Sequence, residues 1–455
     1  MGAATRRRRP AVSMRVGSVA LLCGGVSAGT LAAPLTGQTP TGSGDLVITG
    51  TTVMDGTGAG PRSGATIVVQ NGRIAAVVAD GSEVATAALA GASPHEIIDA
   101  AGATVIPGLI DAHVHLATDP NADGWRERTE RQLAELLAGG VTGVRDMAGD
   151  VRALRPLAEA VSRGEIPGPR IDFAAIVAGP GFFADPRVAS SSAGVELGTA
   201  PWMRAVTADS DIPAIVAEAA ATGASGVKAY ALVDPDLLAR IAAAAHAHGL
   251  RVWAHSTVFT TRPSEAVAAG VDVLSHAAYL VWEGSPPTTE YERRGRGDYL
   301  AVPPDHPAVT RALEAMAGAG TLLDATASLM TRIATRDDIG DLRRDWTFEV
   351  VRRAHEAGVA IVAGTDYPAA PGSAPSIHEE LAVLVEDVGL SPMDALVAAT
   401  RNAARAIGIE SDYGTIETGK VANLVILDAD PLADIRNARR IRLVVREGVR
   451  VAPGD

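Results

Sequence analysis

Apolar strand-like runs alternate with alanine-rich helical stretches eight times between residues 107 and 411, and this constrains the fold more than any other feature of the chain. The runs end near His115, Arg145, Ile176, Tyr230, His255, His276, Asp324 and Gly364. Helical stretches follow, for example Pro235–His248, with Leu237, Leu238 and Ile241 on one side, and Trp346–Ala357. Strands that stay apolar on both faces and alternate with helices are the mark of βα units and a parallel sheet. Eight units in roughly 270 residues match an α/β chain folded as a (β/α)8 TIM-like barrel. An open doubly wound sheet is the alternative, but no Gly-x-Gly-x-x-Gly follows an early strand. Longer insertions at 179–207, 281–306 and 325–343 would lie as irregular loops over one barrel face.

The flanks have a different texture. Residues 45–106 hold short β-type runs with turn punctuation, at Leu46–Thr49, Ala65–Val69, Arg73–Val78 and Glu96–Asp99. The same texture returns in the last segment, 412–455, at Gly414–Lys420, Ala422–Leu427 and Ile441–Val445. Neither flank makes a domain alone; paired, they would form one small β-sandwich built from both terminal segments.

Residues 1–44 stand apart. Arg6–Arg9 are basic, Val16–Ala33 is small and apolar, and a polar stretch runs to Gly44, the order of an export signal followed by a flexible linker. This predicts a periplasmic or secreted protein, without stable membrane insertion once the signal is removed. The apolar part sits at the short limit for a span, so an uncleaved membrane anchor is the alternative. Cys23, the only cysteine, lies in this segment, so the remainder has neither disulfides nor thiolate ligands, and any metal must be held by nitrogen and oxygen. An apolar fraction of 47% is ample for a large core, and a net charge of -13 argues against nucleic acid or an anionic membrane as partner. The acidic balance is compatible with an enzyme for a small-molecule or dipeptide substrate but identifies none, with a homo-oligomer open.

Functional side chains of such a barrel come from the C-terminal ends of its strands. In Val105–Leu116 an apolar run ends in His113 and His115, and side chains two apart on a strand share a face. Two imidazoles so placed can reach one divalent cation; a strand end with two hydrogen-bonded histidines is the plainer alternative. His255 closes Val252–His255, His276 closes Val273–His276, and Asp366 closes Ile361–Asp366. Any one of these histidines reads as a satisfied core residue; four of the chain's 10 histidines in register at strand ends do not.

Among the 40 Lys and Arg residues, only Lys228 and Lys420 are lysine. Arginine carries surface charge everywhere else, so Lys228, set in the apolar strand Gly226–Tyr230, serves another purpose. A buried lysine can lose its proton, which arginine does not. Its neutral amine can add carbon dioxide to give a carbamate, whose two oxygens can bridge two cations; an ordinary buried ion pair is the alternative. Lys420, in a Gly-Lys turn, reads as structural.

On these residues the chain resembles the amidohydrolase superfamily, in its binuclear, prolidase-like and imidazolonepropionase-related branches. The likeness covers almost everything after residue 45 and rests on Pro107–His115, Gly139–Asp146, the strand lysine, the two single histidines, the Gly-Thr-Asp366 end and Gly414–Asp428. It implies two divalent metal ions, zinc being the usual occupant, one on His113, His115 and Asp366 and the other on His255 and His276. A carbon dioxide-derived carbamate on Lys228 would bridge them. Base deaminases of this superfamily carry a Glu shortly after the strand-5 histidine; His255-Ser-Thr-Val258 does not. Imidazolonepropionase-type enzymes use one metal and lack the lysine, so Lys228 moves the expectation toward cleavage of a peptide or other amide bond.

The mechanism this predicts is attack by a metal-bridging hydroxide on an amide carbonyl. Asp366 would take the proton and pass it to the leaving nitrogen. Tyr230, two residues after Lys228 and so on the same face, would donate to the developing oxyanion, or is a plain core tyrosine. An esterase, lactonase or organophosphate hydrolase on the same site is the second reading, and a non-catalytic scaffold the third. Arg145 and Asp146 read as a local ion pair or as groups that orient the site, His378 as a substrate contact or a surface helix start, and His246, His248 and His355 as helix C-terminal residues. Arg126, Arg128 and Arg131 read as a solvated helix face.

Overall fold

The computed structural model describes residues 45–91, 95–286, 288–366 and 376–451; the expected export signal at 1–44 lies outside the described residues. Five strands come first: β1 (Asp45–Val53), β2 (Arg62–Gln70), β3 (Arg73–Ala79), β4 (His95–Asp99) and β5 (Thr104–Pro107). β1, β2 and β3 form an antiparallel meander, while β4 and β5 run parallel to β1. After the barrel come β16 (Leu424–Leu427), β17 (Ile441–Arg446) and β18 (Val449–Val451), and β16 pairs antiparallel with β5. Both terminal segments therefore share one sheet, in the order β18-β17-β16-β5-β1-β2-β3 with β4 on β1.

Alternation along these strands explains how the sheet attaches. Val105, Leu424 and Ile426 enter a core with Ile48, Ile67, Val69 and Leu443, whereas their neighbours Ile106, Val425 and Leu427 enter the barrel's core. Strand period two thus buries one face of β5 and β16 in the sheet's own core and the other against the barrel.

The barrel wall consists of β6 (Leu109–Val114), β7 (Val141–Asp146), β8 (Arg170–Ala178), β11 (Gly226–Ala229), β12 (Arg251–His255), β13 (Val273–Ser275), β14 (Leu322–Asp324) and β15 (Ile361–Val362), each parallel to the next. The seam between β15 and β6 is tied by backbone bonds from Ala112 N to Ala363 O at 3.1 Å and from Asp366 N to His113 O at 2.9 Å. A ribbon of β9 (Thr199–Ala200) and β10 (Met203–Ala205) extends the wall along the upper edge of β8. The expected helices form over Pro235–Ala247 and Gly340–Glu356. Among the described residues no helix is long and apolar enough to cross a membrane.

Three expectations change. Two of the insertions are not irregular: 179–207 carries a 3-10 turn (Pro180–Ala184), a helix (Pro186–Ser191) and the ribbon, and 325–343 opens on a helix (Ala327–Ile333). Asp185 accepts from Arg187 N and Pro186 opens that first helix, start signals that outweigh the loop-like composition. Gly414–Lys420 forms no strand, because Lys420 Nζ ties the segment into a turn through Thr415 Oγ1 at 2.6 Å and Glu417 at 3.2 Å. A helix over Glu83–Ala90, capped by Ser82, interrupts the first β segment.

Candidate metal centre

The strand ends bring His113, His115, His255, His276, Lys228 and Asp366 to one end of the barrel. Ring centroids lie 5.3 Å apart for His113 and His115, 4.8 Å for His113 and His276, and 5.1 Å for His255 and His276. Asp366 Oδ1 stands 2.7 Å from His115 Nε2 and 3.5 Å from His113 Nε2, and Oδ2 stands 3.9 Å from His276 Nδ1. Ligand atoms of His113, His115 and Asp366 all lie within 4.8 Å of one another, a set that can hold a metal ion. His276 and Asp366 adopt left-handed backbone, φ 68° and 49°, conformations that cost a non-glycine residue about 1 kcal/mol or more. The Asp366 N–H bond to His113 O and the His276 N–H bond to Asp324 O at 2.9 Å hold both residues there.

Three of the four rings are oriented by a second partner. His113 Nδ1 faces Asp324 Oδ2 at 2.7 Å, His255 Nδ1 faces Tyr230 O at 2.7 Å, and His276 Nδ1 faces Thr326 Oγ1 at 3.0 Å. Such bonds fix ring orientation and leave the opposite nitrogen for a cation. Burial dominates the imidazole electrostatics: it pulls His276 down to about 3, His255 well below its ordinary value and His113 below it too. All three are held neutral, the form that binds metal. Burial pushes the Asp366 carboxyl upward, but its neighbours His113, His115 and His276, the hydrogen bond from His115 among them, outweigh it and hold it well below the carboxylate range.

Lys228 is fully buried, and among the described residues its Nζ has no hydrogen-bond partner. The Nζ lies 4.9 Å from the Tyr230 ring centroid. Burial, joined by Arg145 and opposed by Asp366, pulls the amine down to about 8. His113 Nε2 and His115 Nδ1 are likewise buried without hydrogen-bond partners among the described residues. Partnerless buried donors and acceptors converging on one point are what a site for cations requires, since leaving such groups unpaired is otherwise costly.

Tyr230 packs against His255, ring centroids 4.4 Å apart, within a cluster that includes Phe182 and Tyr291. Burial and the neighbouring Tyr291 raise its pKa, so the phenol stays protonated and can donate. Phe182 and Tyr291 come from two of the insertions, which therefore roof the site.

Several side chains are built differently from expectation. Arg145 pairs with Asp324, at 3.0 Å, and stacks on Trp253 at 4.8 Å, not with its neighbour Asp146. Asp146 instead accepts from the N–H groups of Leu116, Ala148 and Gly149. His378 is buried and bonds Gly139 O at 2.8 Å, joining two helices, so it is neither a surface residue nor a substrate contact. His246 pairs with Asp272 at 2.9 Å, and His355 lies 3.6 Å from Asp394.

Asp324 and Asp111 are the acidic residues that sequence reasoning missed. Asp324 closes the apolar run Leu322–Asp324 as Asp366 closes its own, a signal that was available. Asp111 accepts from His113 N at 3.2 Å, Thr365 N at 3.1 Å and Thr365 Oγ1 at 2.8 Å, tying the first strand to the last. Burial pushes its carboxyl up to about 7. Gly364 leaves room between Asp324 and His113: a Cβ there would collide with Asp324 Oδ1 and come within 2.7 Å of His113 Cβ.

The chain is 27% identical over 412 residues to imidazolonepropionase of Hyphomonas neptunium, covering 82% of this chain and 91% of that one. It is 27% identical over 386 residues to ochratoxinase of Aspergillus niger, covering 73% and 72%. A Xaa-Pro dipeptidase crystallised with methionine in its active site superposes with a TM-score of 0.69 at 21% identity, over 90% of this chain and 99% of that one. Residues 104–451 match the family model described as Amidohydrolase family. The chain belongs to that family, and with it to the hydrolases of carbon–nitrogen bonds.

Proposed function

We propose that the chain cleaves the amide C–N bond of a dipeptide or related N-acyl compound, with two divalent cations held by His113, His115, Asp366, His255 and His276 and by a carbamate on Lys228. The observation that carries this reading is Lys228, an amine buried beside neutral imidazoles, without a partner among the described residues and drawn toward its neutral form. Nitrogen and oxygen donors of this kind suit zinc. When bound, the cations would supply Lewis-acid polarisation and a lowered pKa for water at near-neutral pH.

The protein's own groups do the rest. Asp366 stays ionised and stands beside three imidazoles, so it accepts a proton and can hand it to a departing nitrogen. Asp324 keeps His113 in one orientation. The protonated Tyr230 hydroxyl donates to negative charge developing on the substrate oxygen. Phe182 and Tyr291 shield the site from water and offer an apolar wall to the side chain of a substrate. Segment 1–44 supports export of the chain before it acts.

The test is a panel of dipeptides, N-acyl amino acids, lactones and phosphotriesters on metal-loaded protein, with bound metal counted per chain. Amide cleavage with two metals supports the reading. Turnover confined to lactones or phosphotriesters overturns the amide assignment, and full activity with one metal per chain overturns the binuclear one. Bound metal with no turnover would return the chain to a scaffold.

A further inference from the structure

Arg294 stands in the roof of the site, its charge felt by Asp185 but not paired with it. Its guanidinium lies over the Tyr291 ring at 4.4 Å, and its field and hydrogen bonding reach the Tyr279 hydroxyl. Both rings neighbour His255, with centroids at 6.2 Å for Tyr291 and 5.9 Å for Tyr279, and Tyr279 also lies 5.2 Å from His276. Among the described residues no carboxylate lies within 4.0 Å of Arg294, whereas nearby Arg187 is held by Asp185. The hydrogen bond from its guanidinium to Tyr291 O, at 3.3 Å, leaves further guanidinium donors.

The backbone that presents it is fixed. Arg294 N donates to Tyr291 O at 3.1 Å, and Trp282 Nε1 donates to Arg294 O at 2.9 Å. A partly buried guanidinium on a rigid aromatic platform, with no acid of its own, is suited to a carboxylate brought by a ligand, which it can engage with two parallel bonds.

We propose that Arg294 binds the free carboxylate of the substrate, so that the enzyme selects N-acyl amino acids and dipeptides with an uncapped C-terminus over neutral amides. This rests on the amide reading above and names its substrate class. The aromatic walls Phe182, Tyr230 and Tyr291 would take the adjoining apolar side chain.

The experiment compares a dipeptide with its C-terminal carboxamide, on wild type, Arg294→Met and Arg294→Lys. Wild type is expected to favour the free carboxylate by about 10- to 100-fold in kcat/KM, the worth of a hydrogen-bonded charge pair. Arg294→Met should lose that factor on the carboxylate substrate while cleaving the carboxamide as wild type does, and Arg294→Lys should keep part of it. Equal rates on both substrates in wild type, or equal losses on both in Arg294→Met, overturn the proposal while leaving amide hydrolysis intact. If no amide is cleaved at all, the amide reading fails, and binding decides about Arg294. Calorimetry with N-acetylphenylalanine and its carboxamide would then show at least tenfold tighter binding of the acid, lost in Arg294→Met; the same affinity in both proteins overturns the proposal.

Discussion

His113 Nδ1 and Asp324 Oδ2 stand 2.7 Å apart with no exposure of either side chain, and Arg145 approaches the same oxygen at 3.0 Å. Ser275 Oγ donates to it as well, at 2.8 Å. One carboxylate therefore orients an imidazole of the site and neutralises a cation sealed beneath it. Burial works to raise the Asp324 pKa, but His113 and Arg145 hold it below the usual range. Replacing Asp324 by Asn removes the charge and leaves Arg145 unpaired, a loss of about 3–5 kcal/mol. His113 would also lose its anchor, weakening bound metal by about 10- to 100-fold. Urea unfolding and metal titration of Asp324→Asn read the two effects separately; a variant as stable as wild type would refute the first.

Lys228 carries a prediction in pH. Burial brings its pKa from the ordinary 10.5 to about 8, so the neutral amine that can take up carbon dioxide grows as pH rises through that value. Between pH 7 and 9, at fixed dissolved carbon dioxide and without metal, carbamate formation should accelerate about tenfold. A 13C resonance from labelled carbon dioxide on wild type, absent in Lys228→Ala, measures it. A rate that does not change with pH would mean that the amine is not the titrating group.

The barrel was legible because burial on both faces leaves an unmixed signal: eight apolar runs, five of which end in residues of the site. Lys228 stood out because arginine does the rest of the chain's cationic work. Asp324 was visible as a carboxylate at a strand end, but its task was not: it completes a buried network whose partners, His113 and Arg145, lie far off in sequence. Arg294 and Tyr291 were illegible for another reason. They sit in an insertion whose conformation depends on tertiary bonds such as Trp282 Nε1 to Arg294 O, which no local pattern encodes.

His276 makes the metal-free protein sensitive to acid. Burial lowers its pKa from 6.5 to about 3, so the unfolded chain binds a proton between these values and the folded chain does not. The stability this group contributes is present above pH 6.5 and is lost as pH falls toward 3. His255 and His113 shift in the same direction and add to the slope. Metal-free wild type should therefore lose denaturant resistance steadily from pH 6.5 to pH 5, and His276→Gln should lose less. Parallel slopes for the two proteins would assign the acid sensitivity elsewhere.

Tyr230 separates catalysis from packing. Its ring lies between Lys228 and His255, so the aromatic body has a structural task whatever the hydroxyl does. Tyr230→Phe keeps the ring and removes only the donor, which burial and Tyr291 hold in the protonated form. If that donor meets charge arising in the transition state, kcat falls by about 100-fold while KM and bound metal hold near wild type. If the phenol merely fills space, kcat stays within a few fold and the loss shows only in thermal stability. Steady-state kinetics on the best dipeptide of the panel, with metal content measured on the same sample, decides between them.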